Sequence, residues 1–357
     1  MSHAITDKRP ASSVPRRSLA QRRLPRWAPA GIAVGALVLA VLIGVVFGLD
    51  SKIQWGLIAV LLFILGTYAI AAQVEGRRQA KDRVATSMIW ASFIVAALPL
   101  YSLLATTIGK GVKILDGDFL SHSMNGVLTI GAGGGVYHAI IGTLEQVGIA
   151  TAIAAPIGML TAIYLVEYGK GRLATAVTFF VDVMTGIPSI VAGLFILSTW
   201  NLLLGFGPSG FAGSMALAIL MMPVVVRSTE EMLKLVPNEL REASLALGVP
   251  KWRTIVKVVV PTAIGGITTG VMLAVARIAG ESAPIALLVF GNNLINNDPF
   301  NGPQASLPFY IFQQYQNGNE PSYDRAWAAA LVLIAFIMIL NILARGIARW
   351  KAPKTGR

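Results

Sequence analysis

Long apolar stretches alternate with short polar segments along almost the whole chain. Eight stretches approach or exceed the roughly 20 residues that a helical membrane crossing needs. They cover residues 29–49, 53–72, 84–109, 138–166, 173–201, 211–227, 262–291 and 326–348. Membrane-spanning β-strands are about ten residues long and alternate in polarity, which these stretches do not. The pattern therefore predicts an all-α, polytopic membrane bundle of about eight transmembrane helices.

Basic residues are distributed unevenly between the two sides of this predicted bundle. Hydrophobic residues make up 55% of the chain and charged residues 13%, with a net charge of +12. Most Lys and Arg residues lie in segments 1–28, 73–83, 167–172, 227–261 and 345–357. Because basic residues favour cytoplasmic segments, both termini are expected in the cytoplasm. The positive charge is thus a topology signal, and its spread over five segments argues against nucleic-acid binding.

The chain contains no cysteine, which excludes disulfides, thiolate metal sites and cysteine catalysis. The apolar run that begins near residue 29 is too long for a cleaved signal peptide and lacks an Ala-x-Ala site, so we expect an uncleaved anchor. The basic tail 1–28 is expected to be flexible and to contact anionic lipid.

The polar loop after the sixth apolar stretch carries a spaced motif. It reads Glu242-Ala243-Ser244, three residues, Gly248, nine residues, Val258-x-Val260-Pro261. Asn238 is a plausible N-cap and Gly248 a stop, which predicts a helix of about ten residues. Its predicted apolar face comprises Leu240, Ala243, Ser244 and Leu247. The motif-independent alternative is an amphipathic connector on the membrane surface.

This spacing resembles the EAA loop of binding-protein-dependent permeases of ABC importers, which runs Glu-Ala-Ala, three residues, Gly, nine residues, Ile-x-Leu-Pro. The resemblance implies that the helix fits a cleft on a separate ATPase subunit. The implied coupling residues are Glu242, Ala243, Ser244, Gly248, Leu240, Leu247 and Pro261. Ser244, Val258 and Val260 depart mildly from the family pattern.

Four further stretches, 162–168, 186–195, 276–284 and 326–333, resemble the A-type permease subunit of the phosphate-specific ABC importer. The resemblance implies a type I importer core and transport of inorganic phosphate by alternating access in a bacterial plasma membrane. It also implies as partners a second permease subunit, an ATPase dimer that binds ATP and Mg, and a soluble phosphate-binding protein. No Gly-x4-Gly-Lys-Ser/Thr motif occurs, so we expect no cofactor on this chain and ATP hydrolysis elsewhere.

The family usually has six spans, so the chain is expected to carry an addition at its front. The predicted organisation is a basic tail (1–28), an extra helical pair with a cytoplasmic linker (29–83), a permease domain (84–350) containing the coupling loop (228–261), and a cytoplasmic tail (351–357). No family role transfers to the extra pair.

Four ionisable residues fall inside predicted spans and away from the span ends, at a cost of about 2.5–3.5 kcal/mol each. They are Glu145, Asp182, Arg277 and Glu281. Gly280 and Pro284 predict a helix break beside Arg277, and a guanidinium fork matches two oxygens of an anion. The resemblance implies that Arg277 belongs to the anion pathway, with Glu281 as its conformational or counter-charge partner. A structural Arg–acid pair joining two permeases is the alternative.

Pro188 lies within the fifth stretch and removes a backbone donor there. Broken helices often line substrate routes, so Ser189, and less strongly Thr185, could bind an oxyanion. A plain proline kink is the alternative. Glu145 and Asp182 are expected to form interhelical hydrogen bonds instead.

The outer segments carry weaker signals. His122 and His138 are too isolated to predict a metal site, and residues 131–135 suggest a flexible glycine turn. The loop 292–325 is rich in Asn and Pro. The resemblance implies that the outer surfaces receive the binding protein, and a re-entrant loop without a partner is the alternative.

Two other functions remain open at this stage. The same groups could pass a different oxyanion, since sulfate or molybdate can also meet an Arg and a Ser. An ion-coupled secondary transporter could use Glu145, Asp182 and Glu281. Such a transporter, however, has no use for the spaced loop and commonly shows an internal repeat, which is not detected.

Overall fold

The computed structural model describes residues 24–25 and 27–351, so most of the predicted basic tail and of the C-terminal tail lies outside it. Secondary structure in the described part is helical apart from one isolated parallel bridge between Phe290 and Gln304. The chain divides into two compact units, Met1–Leu103 and Leu104–Arg357.

The first unit contains α1 (Ala28–Val46), α2 (Lys52–Val74) and most of α3 (Arg77–Gly111). Glycine allows α1 and α2 to approach closely, because a Cβ placed on Gly44 would lie 2.4 Å from the indole nitrogen of Trp55. Between α2 and α3, Arg83 donates two hydrogen bonds, 2.5 and 2.6 Å long, to the carboxylate of Glu75. This bidentate pair closes the turn between the two helices.

The second unit contains the other helices. They are α4 (Gly117–Ser121), α5 (Tyr137–Ile163), α6 (Gly171–Thr185), α7 (Ser189–Ile196), α8 (Gly210–Lys234), α9 (Asn238–Ala246), α10 (Lys251–Thr254), α11 (Val260–Ala279), α12 (Ala283–Leu288), α13 (Leu307–Gln316) and α14 (Glu320–Lys351). Three π-helical segments continue α5, α7 and α10, at Tyr164–Tyr168, Leu197–Leu203 and Ile255–Val259 respectively.

Helix α8 is the centre of the second unit and packs against α5 and α11. Small residues on the neighbouring helices permit this close contact. A Cβ on Gly158 of α5 would lie 2.9 Å from Val225, and one on Gly270 of α11 would lie 2.5 Å from Ser228. Backbones that approach this closely are typical of membrane bundles, where packing replaces the hydrophobic effect between helices.

Seven helices of the described part are long and apolar enough to cross a membrane, and they agree with seven of the eight predicted stretches. The remaining stretch, 173–201, is not a single helix. It forms α6 and α7, which are bent by 107° at a break before Ser189. The expected interruption at Pro188 is therefore confirmed, and it is far sharper than a simple proline kink.

The seventh predicted stretch, 262–291, is also interrupted. Its helical course begins earlier, at Lys251, and α11 ends at Ala279. The chain leaves helical geometry near Glu281 and resumes as α12, where Pro284 occupies the first turn. A proline there sacrifices no intrahelical hydrogen bond, so it suits the start of a new helix. The break predicted from Gly280 and Pro284 is confirmed.

Candidate functional site

The spaced loop motif forms α9, a nine-residue helix in which no residue is buried. The prediction that Asn238 caps it was wrong by one residue, because Pro237 occupies the cap position and Asn238 is the first helical residue. The Asn238 side chain instead accepts a hydrogen bond from Arg241, 3.3 Å away.

Gly248 ends α9 as its sequence position predicts. Its φ of +73° lies in the left-handed region, which glycine adopts without steric cost. The Gly248 amide donates to the Leu245 carbonyl at 2.9 Å, and the Val249 amide donates to the Ser244 carbonyl at 3.3 Å. These bonds satisfy carbonyls that the end of a helix otherwise leaves free.

The residues of the predicted apolar face of α9 do not share one environment: the two leucines are exposed, whereas Ser244 contacts α10. Leu240 is 42% exposed and Leu247 is 83% exposed, so neither contributes to the core of this chain. The hydroxyl of Ser244 lies 2.8 Å from that of Thr254, a buried residue of α10. Ser244 therefore ties α9 to α10 with a bond that the alanine of the EAA pattern could not make.

Arg241 connects α9 to the end of α5, although the motif spacing does not point to this residue. Its Nε and Nη2 lie 3.0 and 2.9 Å from one carboxylate oxygen of Glu167. Its Nη1 and Nη2 donate to the carbonyls of Val236 and Leu233 at 2.6 and 2.9 Å. The Glu167 carboxylate is only 6% exposed, so this is a nearly buried ion pair.

Lys251, at the start of α10, also contacts Glu167. Its ammonium group donates to the carbonyl oxygen of Glu167 and lies 4.7 Å from the ring centre of Tyr168. Both ends of the loop that contains α9 therefore converge on the π-helical segment Tyr164–Tyr168. An acid at the end of a span, opposite basic residues of a loop, is the sequence signal for this contact.

The two interrupted helices of the membrane region meet at a close crossing of α7 and α12. A Cβ on Gly193 would lie 2.9 Å from the Cα of Pro284 and 3.3 Å from a methyl group of Leu287. Because a backbone atom lies this close, any side chain at position 193 would force the two helices to shift. The chain thus places the break before Ser189 and the break at Glu281 on two helices that touch.

The predicted pathway residues occupy these breaks or flank them. Arg277 is in the last turn of α11 and is exposed, while Glu281 lies in the break and is half-buried. Within the described residues neither side chain has a hydrogen bond or an ion pair, so they do not pair with each other. Ser189 is the first residue of α7. The hydroxyl of Thr185 donates to the Val181 carbonyl at 2.9 Å.

The other two intramembrane acids are paired with groups on other elements. Glu145 accepts a 2.5 Å bond from the side-chain amide of Gln304, which belongs to a loop rather than to the expected second helix. Asp182 of α6 forms an ion pair with Arg227 of α8, so here the interhelical expectation is confirmed. Arg227 also binds Glu230 at 2.7 Å.

Arg325, in the first part of α14, is only 1% exposed. Its guanidinium donates to the carbonyls of Thr129, Gly131 and Gly133 at 2.7, 2.8 and 3.1 Å. A buried side chain therefore binds three carbonyls of the glycine turn, for which flexibility stays a prediction. No cluster of three metal-binding side chains occurs among the described residues.

A helical membrane bundle with two interrupted helices and an exposed helix between its spans has the architecture of a transporter membrane subunit. The family model for the "binding-protein-dependent transport system inner membrane component" matches residues 154–357. The chain belongs to this family.

Three curated relatives of this chain are all described as phosphate transport system permease proteins. The chain is 50% identical over 269 residues to the phosphate transport system permease protein PstA 1 of Mycobacterium tuberculosis strain CDC 1551, covering 75% of this chain and 88% of that protein. It is 48% identical over 270 residues to the corresponding Mycobacterium leprae protein, with 75% and 89% covered. The Pasteurella multocida protein is 39% identical over 269 residues, with 75% and 94% covered.

Solved structures of other importers share the fold. A bacterial alginate ABC transporter chain aligns with a TM-score of 0.55 at 16% identity, covering 78% of this chain and 97% of that one. A chain of the MetNI methionine ABC transporter aligns with a TM-score of 0.52 at 18% identity, covering 61% and 96%. At these identities the likeness establishes the helical permease fold alone.

Proposed function

We propose that this chain is the non-catalytic membrane permease subunit of an ATP-driven importer of inorganic phosphate. The 50% identity to a phosphate transport permease over 75% of the chain carries the choice of substrate. A separate ATPase that binds ATP and Mg hydrolyses the nucleotide, and this chain converts that event into alternating access.

Helix α9 is the surface on which the ATPase acts. Leu240 and Leu247 are exposed and form the apolar part of the contact, with Ala243 between them along the helix. Glu242 lies among these positions, and Gly248 ends the helix so that the chain can turn back towards the membrane. Pro261, in the first turn of α11, marks where the chain resumes α-helical geometry after the π-helical segment.

Force on α9 reaches the membrane region through Arg241 and Ser244. Arg241 binds Glu167 at the inner end of α5, and Ser244 binds Thr254, which leads into α11. π-helical segments lie at both joints, Tyr164–Tyr168 and Ile255–Val259. Such segments frequently mark functional sites, and here they adjoin the two helices that must move.

Arg277 binds the transported anion. Its guanidinium is exposed at the end of α11 and is not engaged by described residues, so its donors remain available. Glu281 supplies a nearby counter-charge in the break, and Ser189 contributes a hydroxyl from the neighbouring break. Thr185 contributes less, because its hydroxyl is used within α6. Binding must stay weak, since a tight transit site would not release its ion.

In the membrane, both termini and α9 lie on the cytoplasmic side of a bacterial plasma membrane. A second permease subunit completes the transport pathway, an ATPase dimer docks from the cytoplasm, and a soluble phosphate-binding protein delivers the ion from outside. The helical pair within 29–83 is an addition to the permease domain 84–350, and no part of the transport route is assigned to it.

The proposal is tested with the purified complex by measuring ATP hydrolysis stimulated by phosphate-loaded binding protein, with sulfate as the control anion. We expect phosphate to stimulate and sulfate not to. Arg277→Ala should abolish phosphate uptake without loss of assembly, and Arg277→Lys should restore little, because an ammonium lacks the planar fork. Wild-type uptake by Arg277→Ala would remove the assignment.

An ion-coupled mechanism gives a different result in the same preparation. Glu145 and Asp182 are engaged by Gln304 and Arg227, so Glu281 alone of the three acids has no partner among the described residues. This pairing argues against coupling to ions through these acids. If the importer is driven by ATP, uptake should stop when the ATPase is inhibited while the ion gradient is intact. Continued uptake under those conditions would favour the secondary transporter instead.

A further inference from the structure

The outer loop, residues 289–306 between α12 and α13, returns into the protein at Gln304. This side chain is 1% exposed. Its Nε2 donates to Glu145 at 2.5 Å and to the Asn296 carbonyl at 3.1 Å, while its Oε1 accepts from the Nε2 of Gln146 at 2.8 Å. Both amide protons and the amide oxygen are therefore bonded, as a buried polar group requires.

The backbone around Gln304 is held equally firmly. Its amide donates to the carbonyl of Val289, the residue that follows α12, at 3.3 Å. The Ala305 carbonyl accepts from Gln146 at 3.1 Å, and the Leu307 amide donates to the Thr143 hydroxyl at 2.7 Å. The loop is thus tied to α12 on one side and to α5 on the other.

Two glycines make room for this insertion. A Cβ on Gly142 of α5 would lie 2.0 Å from the Ala305 carbonyl oxygen. A Cβ on Gly210 of α8 would lie 2.0 Å from the Gln304 side-chain oxygen. Helices α5, α8 and α12 therefore converge on Gln304, and we call the group Gln304, Glu145 and Gln146 the outer clasp.

The exposed part of the outer loop is ordered by its own side chains. Asn292 and Asn296 accept from backbone amides two residues ahead at 3.0 and 2.9 Å, and Asp298 does the same at 3.0 Å. A hydrogen bond from Asn301 lowers the pKa of Asp298 below its ordinary value. The Asn296 carbonyl is bonded to Gln304, so displacement of this ordered loop reaches the outer clasp directly.

We propose that Gln304 is a positioning residue through which contact of the binding protein with the outer loop is passed to the interrupted helix α11–α12. This inference rests on the proposed function. Gln304 takes no part in binding the anion. It acts through Val289 on α12, whose other end adjoins the break that contains Glu281. The outer clasp thus links the loop that faces the delivered ion to the segment that must open for it.

The test uses the full complex in proteoliposomes, with ATP hydrolysis measured as phosphate-loaded binding protein is titrated. Gln304→Met keeps the length of the side chain but removes its hydrogen bonds. We expect assembly, basal hydrolysis and the half-saturating concentration of binding protein to stay near wild type. The maximal stimulation should fall at least about fivefold, the lower end of usual coupling between sites.

Gln316→Met is the matched control. It makes the same chemical change at an exposed residue of α13 that lies outside the outer clasp. It should behave as wild type. Full stimulation of Gln304→Met overturns the proposal. So does an equal fall of basal and stimulated hydrolysis in an assembled complex, because that would indicate a purely structural role.

A charge exchange keeps the proposal testable if Gln304→Met fails to assemble. Gln304→Glu places two carboxylates together and should lose stimulation. Adding Glu145→Gln restores the bond between these two side chains but not the bond to the Asn296 carbonyl, so it should recover part of the stimulation, as expected for directly interacting residues. Failure of the double variant to recover overturns the proposal. Absence of phosphate-dependent stimulation in the wild-type complex would instead reject the proposed function.

Discussion

Arg241 of α9 lies 2.9–3.0 Å from the carboxylate of Glu167 in the π-helical segment that continues α5, and this ion pair joins the two elements. The side chains are only 16% and 6% exposed. The same guanidinium holds two carbonyls at the end of α8 and just beyond it. A shift of α9 would therefore break these bonds or move the adjoining ends of α5 and α8 with it.

Arg241→Met should uncouple ATP hydrolysis from transport. It removes one partner of a nearly buried pair and leaves Glu167 unpaired, which typically costs about 3–5 kcal/mol. The measurement is phosphate transported per ATP hydrolysed in proteoliposomes. Arg253→Met is the control, since Arg253 is exposed in the same loop and lies over the ring of Trp252. An unchanged ratio for Arg241→Met would contradict the role of this pair.

Gly248→Ala should weaken the end of α9 through backbone conformation alone. A Cβ there meets open space, but the φ of +73° costs an L-residue about 1–2 kcal/mol. Gly248→Asn should lose less, because asparagine tolerates this region. The readout is the affinity of the ATPase for the permease. Gly265→Ala, in open space at an ordinary φ within α11, should have no effect, and equal losses for all three variants would refute this explanation.

Gly193→Ala should disturb the crossing of α7 and α12. The new methyl group would lie 2.9 Å from the backbone of Pro284, and such overpacking typically costs about 1–3 kcal/mol. Because the crossing joins the two breaks, we expect a lower transport rate as well as a lower unfolding temperature in detergent. Gly148→Ala in α5 meets open space and serves as the control. Wild-type transport by Gly193→Ala would show that the contact can relax.

Arg325→Met should release the turn formed by residues 129–135. The substitution removes the guanidinium donors to the Thr129, Gly131 and Gly133 carbonyls, and of these three only the Thr129 carbonyl keeps another donor, the Ser322 hydroxyl at 3.2 Å. Limited proteolysis from the outer side should then cut this turn faster. Lys113→Met, a change at an exposed outer lysine, should not alter the cleavage rate. Equal cleavage of both variants would mean that Arg325 does not hold the turn.

Features that depend on local chemistry could be predicted from the sequence. The breaks beside Pro188 and Pro284 follow from the missing backbone donor of proline, and the end of α9 follows from Gly248. The start of α9 was missed by one residue. Asn238 was chosen as the cap because asparagine is a favourable N-cap residue type, but Pro237 occupies the cap position.

Pairings between distant segments could not be predicted in the same way. Arg241 and Glu167 are 74 residues apart, and Gln304 and Glu145 are 159 apart. Residue type says that an intramembrane acid needs a partner, but the partner is chosen by how the helices pack. Arg325 shows the same limit, because a basic residue at the outer end of a span normally reaches water, and here the glycine turn covers it.

The outward-facing side chains of α9 have a consequence for the life of the subunit in a cell. Leu240 and Leu247 lie outside the core of this chain, so a copy synthesised without its neighbours exposes apolar side chains to solvent. Quality-control proteases recognise such surfaces on orphan subunits. Steady-state abundance should therefore follow co-synthesis with the companion subunits more closely than it follows transcription of this chain alone.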